Sequence, residues 1–144
     1  MRTRIIAAGA LLLAGVSGCS SSDKGSAADL TIRMSEWLWE PSASTVKAGD
    51  VVIEANNVGG AEHEVIVVTG ADPKAFTTKA DGSIDEEKID EAAKMGEIEH
   101  VAASSTKNGT FALDPGTYVI MCNLVDTAGN AHFAKGMVST LTVT

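Results

Sequence analysis

The chain has 144 residues, of which 44% are hydrophobic and 21% are charged, so its composition fits one folded domain with a core and excludes a largely disordered chain. Acidic residues outnumber basic ones by 19 to 11, which gives a formal net charge of −8 at pH 7. Such a surface disfavours contact with a phosphate backbone, so no nucleic acid is expected as a partner.

The first 18 residues have the pattern of a bacterial export signal. Arg2 and Arg4 supply positive charge, and the apolar run over residues 5–16 is too short for a good membrane-spanning helix. It leads into Val-Ser-Gly-Cys at residues 16–19, which resembles the lipobox of bacterial lipoproteins, where cleavage precedes the cysteine and a diacylglycerol group is attached to its sulfur. The sequence therefore predicts a signal peptide over residues 1–18 and lipidation of Cys19, with a chance cysteine near an ordinary cleavage site as the alternative.

The next ten residues predict a tether between lipid and domain. Residues 19–28 are rich in serine, glycine and alanine and have no apolar periodicity, so they are expected to form a flexible linker. One domain is expected over residues 29–144. We expect an exported monomer that is lipid-anchored to a membrane and faces the periplasm or the cell exterior.

Six segments of the domain have the composition of β-strands. Most are rich in β-branched residues, several alternate apolar with polar positions, and clusters of glycine, asparagine, aspartate and proline separate them. This punctuation predicts an all-β sandwich. The predicted strands cover residues 30–35, 45–55, 64–69, 109–113, 117–122 and 137–143.

The long connection between the third and fourth predicted strands has a different pattern. Within residues 84–95, Ile89, Ala92 and Met95 recur near helical spacing, with acids near the start and a lysine near the end, as suits the helix dipole. Gly96 is a plausible helix stop. The pattern predicts one short amphipathic helix that crosses between strands.

Cys122 has no predicted disulfide partner. The chain has two cysteines, so if Cys19 carries lipid, Cys122 is left as an unpaired thiol in an oxidising compartment. A small buried side chain at the end of an apolar strand is one explanation. A metal ligand is the other.

A single-electron copper site requires a soft thiolate, two imidazoles and a weak axial thioether. Cys122, His132 and Met137 flank one loop between two predicted strands, which can hold all three at one edge of the sandwich. His63 stands at the start of the strand predicted over residues 64–69 and can reach the same end.

These motifs resemble the cupredoxin family, in particular small bacterial plastocyanin-like lipoproteins, over roughly residues 29–144. The resemblance is carried by residues 57–63 and 116–123, by His132 and by the pair Gly136-Met137. It implies a Greek-key β-sandwich. It also implies one type 1 (blue) copper ion, with His63, Cys122, His132 and Met137 as its ligands.

Two departures from the family pattern concern the copper environment. The ten-residue step from Cys122 to His132 is longer than in plastocyanin-like or azurin-like members and is nearer to the blue site of copper nitrite reductases. Glu64 stands where plastocyanins usually have asparagine, so different surroundings are expected for the cysteine sulfur.

The resemblance implies electron transfer between redox proteins, such as a cytochrome and a terminal reductase or oxidase, with His132 as the ligand nearest the surface. An enzyme is not expected and no catalytic residue is assigned, because copper enzymes need further histidines and only His100 is left over. A copper carrier or storage protein that delivers the metal to another exported protein is the alternative. Zinc accepts the same donors, but affinity order and the axial Met137 favour copper.

Several other residues allow two interpretations each. His100 is a second ligand or a proton-linked switch, or simply a solvated surface histidine. Trp37 and Trp39 form a docking or electron-entry surface near copper, or pack between sheet and loop. The acidic residues over 81–99 dock a basic cytochrome, or only keep that face soluble.

Overall fold

The structure of the chain is a computed structural model that describes residues 27–144. The predicted signal peptide, Cys19 and most of the predicted tether lie outside the described residues. Within this range, no helix is both long and apolar enough to cross a membrane.

Nine strands in the described part of the chain form two mixed sheets. They are β1 (Leu30–Ser35), β2 (Leu38–Pro41), β3 (Thr45–Val46), β4 (Gly49–Asn57), β5 (His63–Thr69), β6 (Lys94–Val101), β7 (Thr106–Leu113), β8 (Gly116–Met121) and β9 (Val138–Val143). One sheet has the order β2-β1-β4-β7 and the other the order β3-β9-β8-β5-β6. The pairs β1/β4 and β3/β9 are parallel and the other pairs are antiparallel. The predicted all-β sandwich is confirmed.

The main core lies between the two sheets. Strand β1 buries Leu30, Ile32 and Met34, while the residues between them are partly or fully exposed. These side chains share one apolar cluster with Val65 and Val67 of β5. The two-residue period of a strand thus places one face of each sheet in the core.

Two inner strands of the five-stranded sheet, β5 and β8, are buried on both faces. Ile66 and Val68 of β5 and Val119 and Met121 of β8 point away from the main core and form a second cluster with Ile84. Ile84 belongs to the long connection between β5 and β6, which covers this outer face. Continuous apolar runs such as residues 65–68 therefore read as strands with two covered faces.

That connection does not contain the predicted helix over residues 84–95. It forms three single 3₁₀ turns, Pro73–Ala75, Glu86–Lys88 and Glu91–Ala93, and an aspartate precedes each one. Two of these aspartates cap their turns: Asp72 accepts the N–H of Lys74 at 2.9 Å and Asp90 accepts the N–H of Ala92 at 3.0 Å. Such side-chain bonds compete with a continuous helix, so the prediction of one short helix was wrong.

The end of the predicted helix is instead the start of β6, which pairs with β5. Val67 lies opposite Gly96 and Val68 opposite Lys94, so Met95 is the extra residue of a β-bulge. Gly96 adopts a φ of +128°, which favours glycine, and does not end a helix there. Pairing along the edge of β5 thus overrides a local helical pattern.

Gly109 of β7 offers a test of the contact between the sheets. A Cβ there would lie 2.7 Å from Ile98 Cγ1 and 3.0 Å from Phe111 Cε2, both in buried side chains. We expect Gly109→Ala to lower the free energy of unfolding by about 1–3 kcal/mol, because an overpacked core must shift. Urea denaturation measures this. Gly116→Ala, whose nearest contact would be 3.8 Å, is the matched control, and equal losses in both variants would contradict the packing described.

Candidate metal centre

Strand pairing brings the predicted ligands to one end of the five-stranded sheet. His63 is the first residue of β5, Cys122 directly follows β8, and Met137 directly precedes β9. Strand β8 runs antiparallel to both neighbours, so its last residues lie beside the beginnings of β5 and β9. His132 lies in the connection from β8 to β9.

Three donor atoms converge there. His63 Nδ1 lies 3.1 Å from His132 Nδ1, and Cys122 Sγ lies 3.2 Å from His132 Nδ1 and 3.9 Å from His63 Nδ1. The three residues are 0%, 3% and 0% exposed in the order His63, His132, Cys122. When an ion lies in the plane of three donor atoms with bonds of about 2.0–2.3 Å, neighbouring donor atoms are roughly 3.5–3.8 Å from one another. The cluster therefore fits one metal ion, and two imidazoles with a thiolate are the strong donors of a type 1 copper site.

Met137 is fully buried and belongs to the same core cluster as Cys122. Its carbonyl oxygen accepts the N–H of Cys122 at 2.9 Å, and its own N–H donates to the carbonyl oxygen of His132 at 3.1 Å. These two bonds tie its backbone to two of the clustered residues. A role for its sulfur as the axial ligand stays a prediction.

The extra residues between Cys122 and His132 form a small structure of their own. Val125 and Ala131 form an antiparallel bridge, and the Asp126 carboxylate accepts two backbone N–H groups of the turn between them. The chain returns to the site where the N–H of His132 donates to the carbonyl oxygen of Leu124 at 2.8 Å. The unusual spacing is thus taken up in a local hairpin beside the donor cluster.

Burial sets the protonation of the donors. It raises the pKa of the Cys122 thiol to about 12 and lowers the pKa of both His63 and His132. For His63, the neighbouring His132 lowers the pKa further. At neutral pH the imidazoles are therefore neutral and ready to ligate, whereas a metal ion must displace the thiol proton.

The loop that leads into His63 is fixed by two side chains. Glu36 Oε1 accepts the N–H groups of Gly60 and Ala61 at 2.7 and 2.6 Å, and the Asn57 amide donates to the carbonyl oxygen of Ala61 at 2.7 Å. In the described part of the chain, His63 Nε2 is buried without a hydrogen-bond partner, so the loop and the packing orient this ring. Asn57 belongs to the residues 57–63 that carry the resemblance but was assigned no role there, and Glu36 carries no sequence signal.

Glu64 bonds to the backbone next to the cysteine. Its Oε1 accepts the N–H of Asn123 at 3.0 Å, one residue after Cys122. The Asn123 side chain accepts the N–H of Ile84 at 2.6 Å and donates to Glu86 Oε1 at 2.6 Å, which joins the covering segment to the site. Burial raises the pKa of Glu64 to about 7, and Glu86 adds to the effect.

His100 lies outside the donor cluster. Its side chain is 73% exposed and forms an ion pair of 2.9 Å with Glu62, which raises the pKa of the imidazole. Trp39 Nε1 donates to Ser139 Oγ at 3.0 Å and so links the two sheets. Trp37, in contrast, is 44% exposed and contacts the ring of His132.

No family model and no curated protein matches the chain. The chain is similar to solved structures of two auracyanins and an azurin. Dithionite-reduced auracyanin from Roseiflexus castenholzii is 24% identical, with a TM-score of 0.59, over 79% of this chain and 94% of its own. Auracyanin A, a "blue" copper protein from Chloroflexus aurantiacus, is 21% identical, with a TM-score of 0.51, over 79% of this chain and 98% of its own. An azurin (Az-iso2) from Methylomonas sp. strain J is 14% identical, with a TM-score of 0.52, over 82% of this chain and 98% of its own. The chain therefore has the cupredoxin fold.

The buried Glu64 predicts a pH dependence of the metal-free protein. Because its pKa is raised from 4.5 to about 7 on folding, its carboxyl destabilises the fold progressively as pH rises through that window. The two buried histidines act oppositely below pH 6.5, so only a comparison isolates Glu64. As the pH rises from 5 to 8, we expect the free energy of unfolding of Glu64→Gln to increase by roughly 1–3 kcal/mol relative to that of the original chain. This range allows for the partial exposure of Glu64. Chemical denaturation of the chelator-treated protein measures it, and parallel pH curves would disprove the assignment.

Proposed function

We propose that the protein is a type 1 copper protein that passes single electrons between redox proteins, with copper held by His63, Cys122, His132 and Met137. The observation that carries the proposal is the convergence of a buried thiol and two buried imidazole nitrogens. In an exported protein, this arrangement also explains the unpaired cysteine. The cupredoxin fold supports the same interpretation.

The scaffold suits a carrier of electrons. Copper, when bound, supplies a one-electron Cu(II)/Cu(I) couple. His63, Cys122 and Met137 stand at the ends of paired strands, which restricts their movement, and their burial excludes water. His132 is the most exposed of the four at 3%, so it lies nearest to a partner.

A carrier fits the site better than an enzyme does. The four proposed ligands are all buried, whereas a catalytic metal keeps a coordination position open to water or substrate. Among residues 27–144 the remaining histidine, His100, is exposed and paired with Glu62. A second copper site built on histidines therefore has no support in this part of the chain.

The partner we propose is a redox protein, such as a cytochrome, with an apolar contact face and a basic rim. Across residues 27–144, the large hydrophobic side chains that are exposed are Trp37, Val58 and Val125, and all three lie in loops at the metal end. Glu36 and Glu62 are exposed at the same end, where they outnumber the one exposed lysine beside Trp37, Lys135. Apolar contact with an acidic surround favours a partner of opposite charge.

Spectroscopy of the full chain tests the function. The purified protein, loaded with Cu(II), is expected to absorb strongly in the visible range and to bleach and recover reversibly with reductant and oxidant. A copper carrier would instead give up its metal readily to a competing copper-binding protein. Loss of copper to the competitor without reversible bleaching would overturn the electron-transfer proposal in favour of metal delivery.

Cys122→Ser tests the ligand assignment. Serine cannot supply the thiolate-to-copper charge transfer, so the visible band is expected to disappear while far-ultraviolet circular dichroism still reports a folded β domain. Exposed Val58→Ala is the matched control and is expected to keep the band. A coloured Cys122→Ser protein would contradict the assignment.

We also propose that the protein is exported and anchored through a lipid on Cys19, on the strength of the sequence pattern alone. In a bacterial host, Cys19→Ser is expected to abolish labelling by a radioactive fatty acid and to release the protein from the membrane fraction or leave it unprocessed. Mass spectrometry of the N-terminus distinguishes these outcomes. Fatty-acid labelling that persists in Cys19→Ser would rule out the anchor.

A further inference from the structure

Trp37 occupies a backbone conformation that its side chain does not favour. Glu36 and Trp37 are the two-residue connection between β1 and β2, with Ser35 opposite Leu38, and Trp37 has a φ of +64°. A left-handed conformation is unfavourable for a bulky residue, and glycine or asparagine would largely avoid its cost. The side chain is 44% exposed, so its ring is only partly buried.

Two contacts hold the Trp37 ring in place, and both come from the turn that carries a proposed ligand. The ring meets the His132 imidazole edge to face, with centroids 5.6 Å apart and an interplanar angle of 86°. Lys135 Nζ lies 5.4 Å from the centroid of the same ring. Lys135 follows His132 by three residues, and its N–H donates to the carbonyl oxygen of His132 at 3.1 Å.

The same connection also holds the loop of the other histidine. Glu36 accepts two N–H groups of the loop that leads to His63. Gly59 of that loop packs directly on the hairpin, since a Cβ there would lie 2.9 Å from Ser35 Cα. The β1–β2 connection thus contacts both sides of the donor cluster.

We propose that Trp37 is a positioning residue, which fixes the ring orientation of His132 and keeps water away from it. The inference rests on the proposed function in that His132 is taken as a copper ligand. His132 lies in a connection between strands, yet it is only 3% exposed. The partly exposed ring of Trp37 contacts its imidazole. Strained backbone that is retained by specific contacts is typical of residues that serve a site.

The test compares Trp37→Gly, Trp37→Phe and Val58→Ala, the last as a control that removes exposed apolar surface from the same end. Copper affinity is measured by competition with a chromophoric chelator, and stability by denaturation of the metal-free protein. We expect Trp37→Gly to weaken copper binding by about 10-fold or more, as loss of a supporting residue does. Stability is expected to be equal or higher, because glycine relieves the strain at this φ. Trp37→Phe restores most of the affinity, and Val58→Ala leaves it unchanged.

A second readout does not depend on copper. In the metal-free protein, the imidazole proton resonances of His132 are expected to shift in Trp37→Gly by more than those of His63, because only His132 loses a neighbouring ring. If the original chain binds no copper, the proposed function fails while these resonances still report on positioning. Unchanged resonances, or a loss of stability equal to the loss of affinity, would overturn the positioning role.

Discussion

The placement of β8 between β5 and β9 is the constraint on which the site depends. Because β8 is antiparallel to both strands, its carboxyl end must meet their amino ends. Cys122 therefore lies beside His63, a residue 59 positions earlier in the chain. The hydrogen-bond ladders that stabilise the sheet also set the separation of Cys122 from His63 and Met137.

The second requirement is that water be excluded from this end of the sheet. The connection between β5 and β6 covers the outer face of the sheet and is held to the strand end by the Asn123 side chain. Burial of the donor groups themselves makes the thiol difficult to ionise and the imidazoles difficult to protonate. A soft metal ion bound there would displace the thiol proton and would be held by the thiolate and two neutral imidazoles.

Much of the sandwich and the donor set could be predicted from the sequence, for identifiable reasons. Strand β1 was predicted at its observed bounds, because Leu30, Ile32 and Met34 alternate with more exposed residues. Cys122, His63 and His132 were singled out by the leftover thiol, by their order around the predicted strands and by the resemblance to cupredoxins, and the structure brings the three side chains together. Three-dimensional pairing decided the rest.

Strand β6 was not predicted: Lys94 and Met95 were assigned to the helix and the rest of the strand to no element, since its pairing partner β5 is remote in sequence and its bulge hides the alternation. Strand β2 has only four residues and gave no pattern. Glu36 was not assigned to the site, and Trp37 was placed near copper only as one of two interpretations, because nothing local reveals that their turn faces a loop more than twenty residues away. Contacts of this kind are properties of the fold, and no periodicity encodes them.

The local hairpin between Cys122 and His132 separates the length of this connection from the geometry of the donors. The Val125–Ala131 bridge and the turn capped by Asp126 are bonded within the hairpin itself. The chain returns to the site where the N–H of His132 donates to the carbonyl oxygen of Leu124. A change in loop length beyond the Val125–Ala131 bridge would therefore leave Cys122 and His132 in place. The face that this loop presents to other molecules can thus vary independently of the interior of the site.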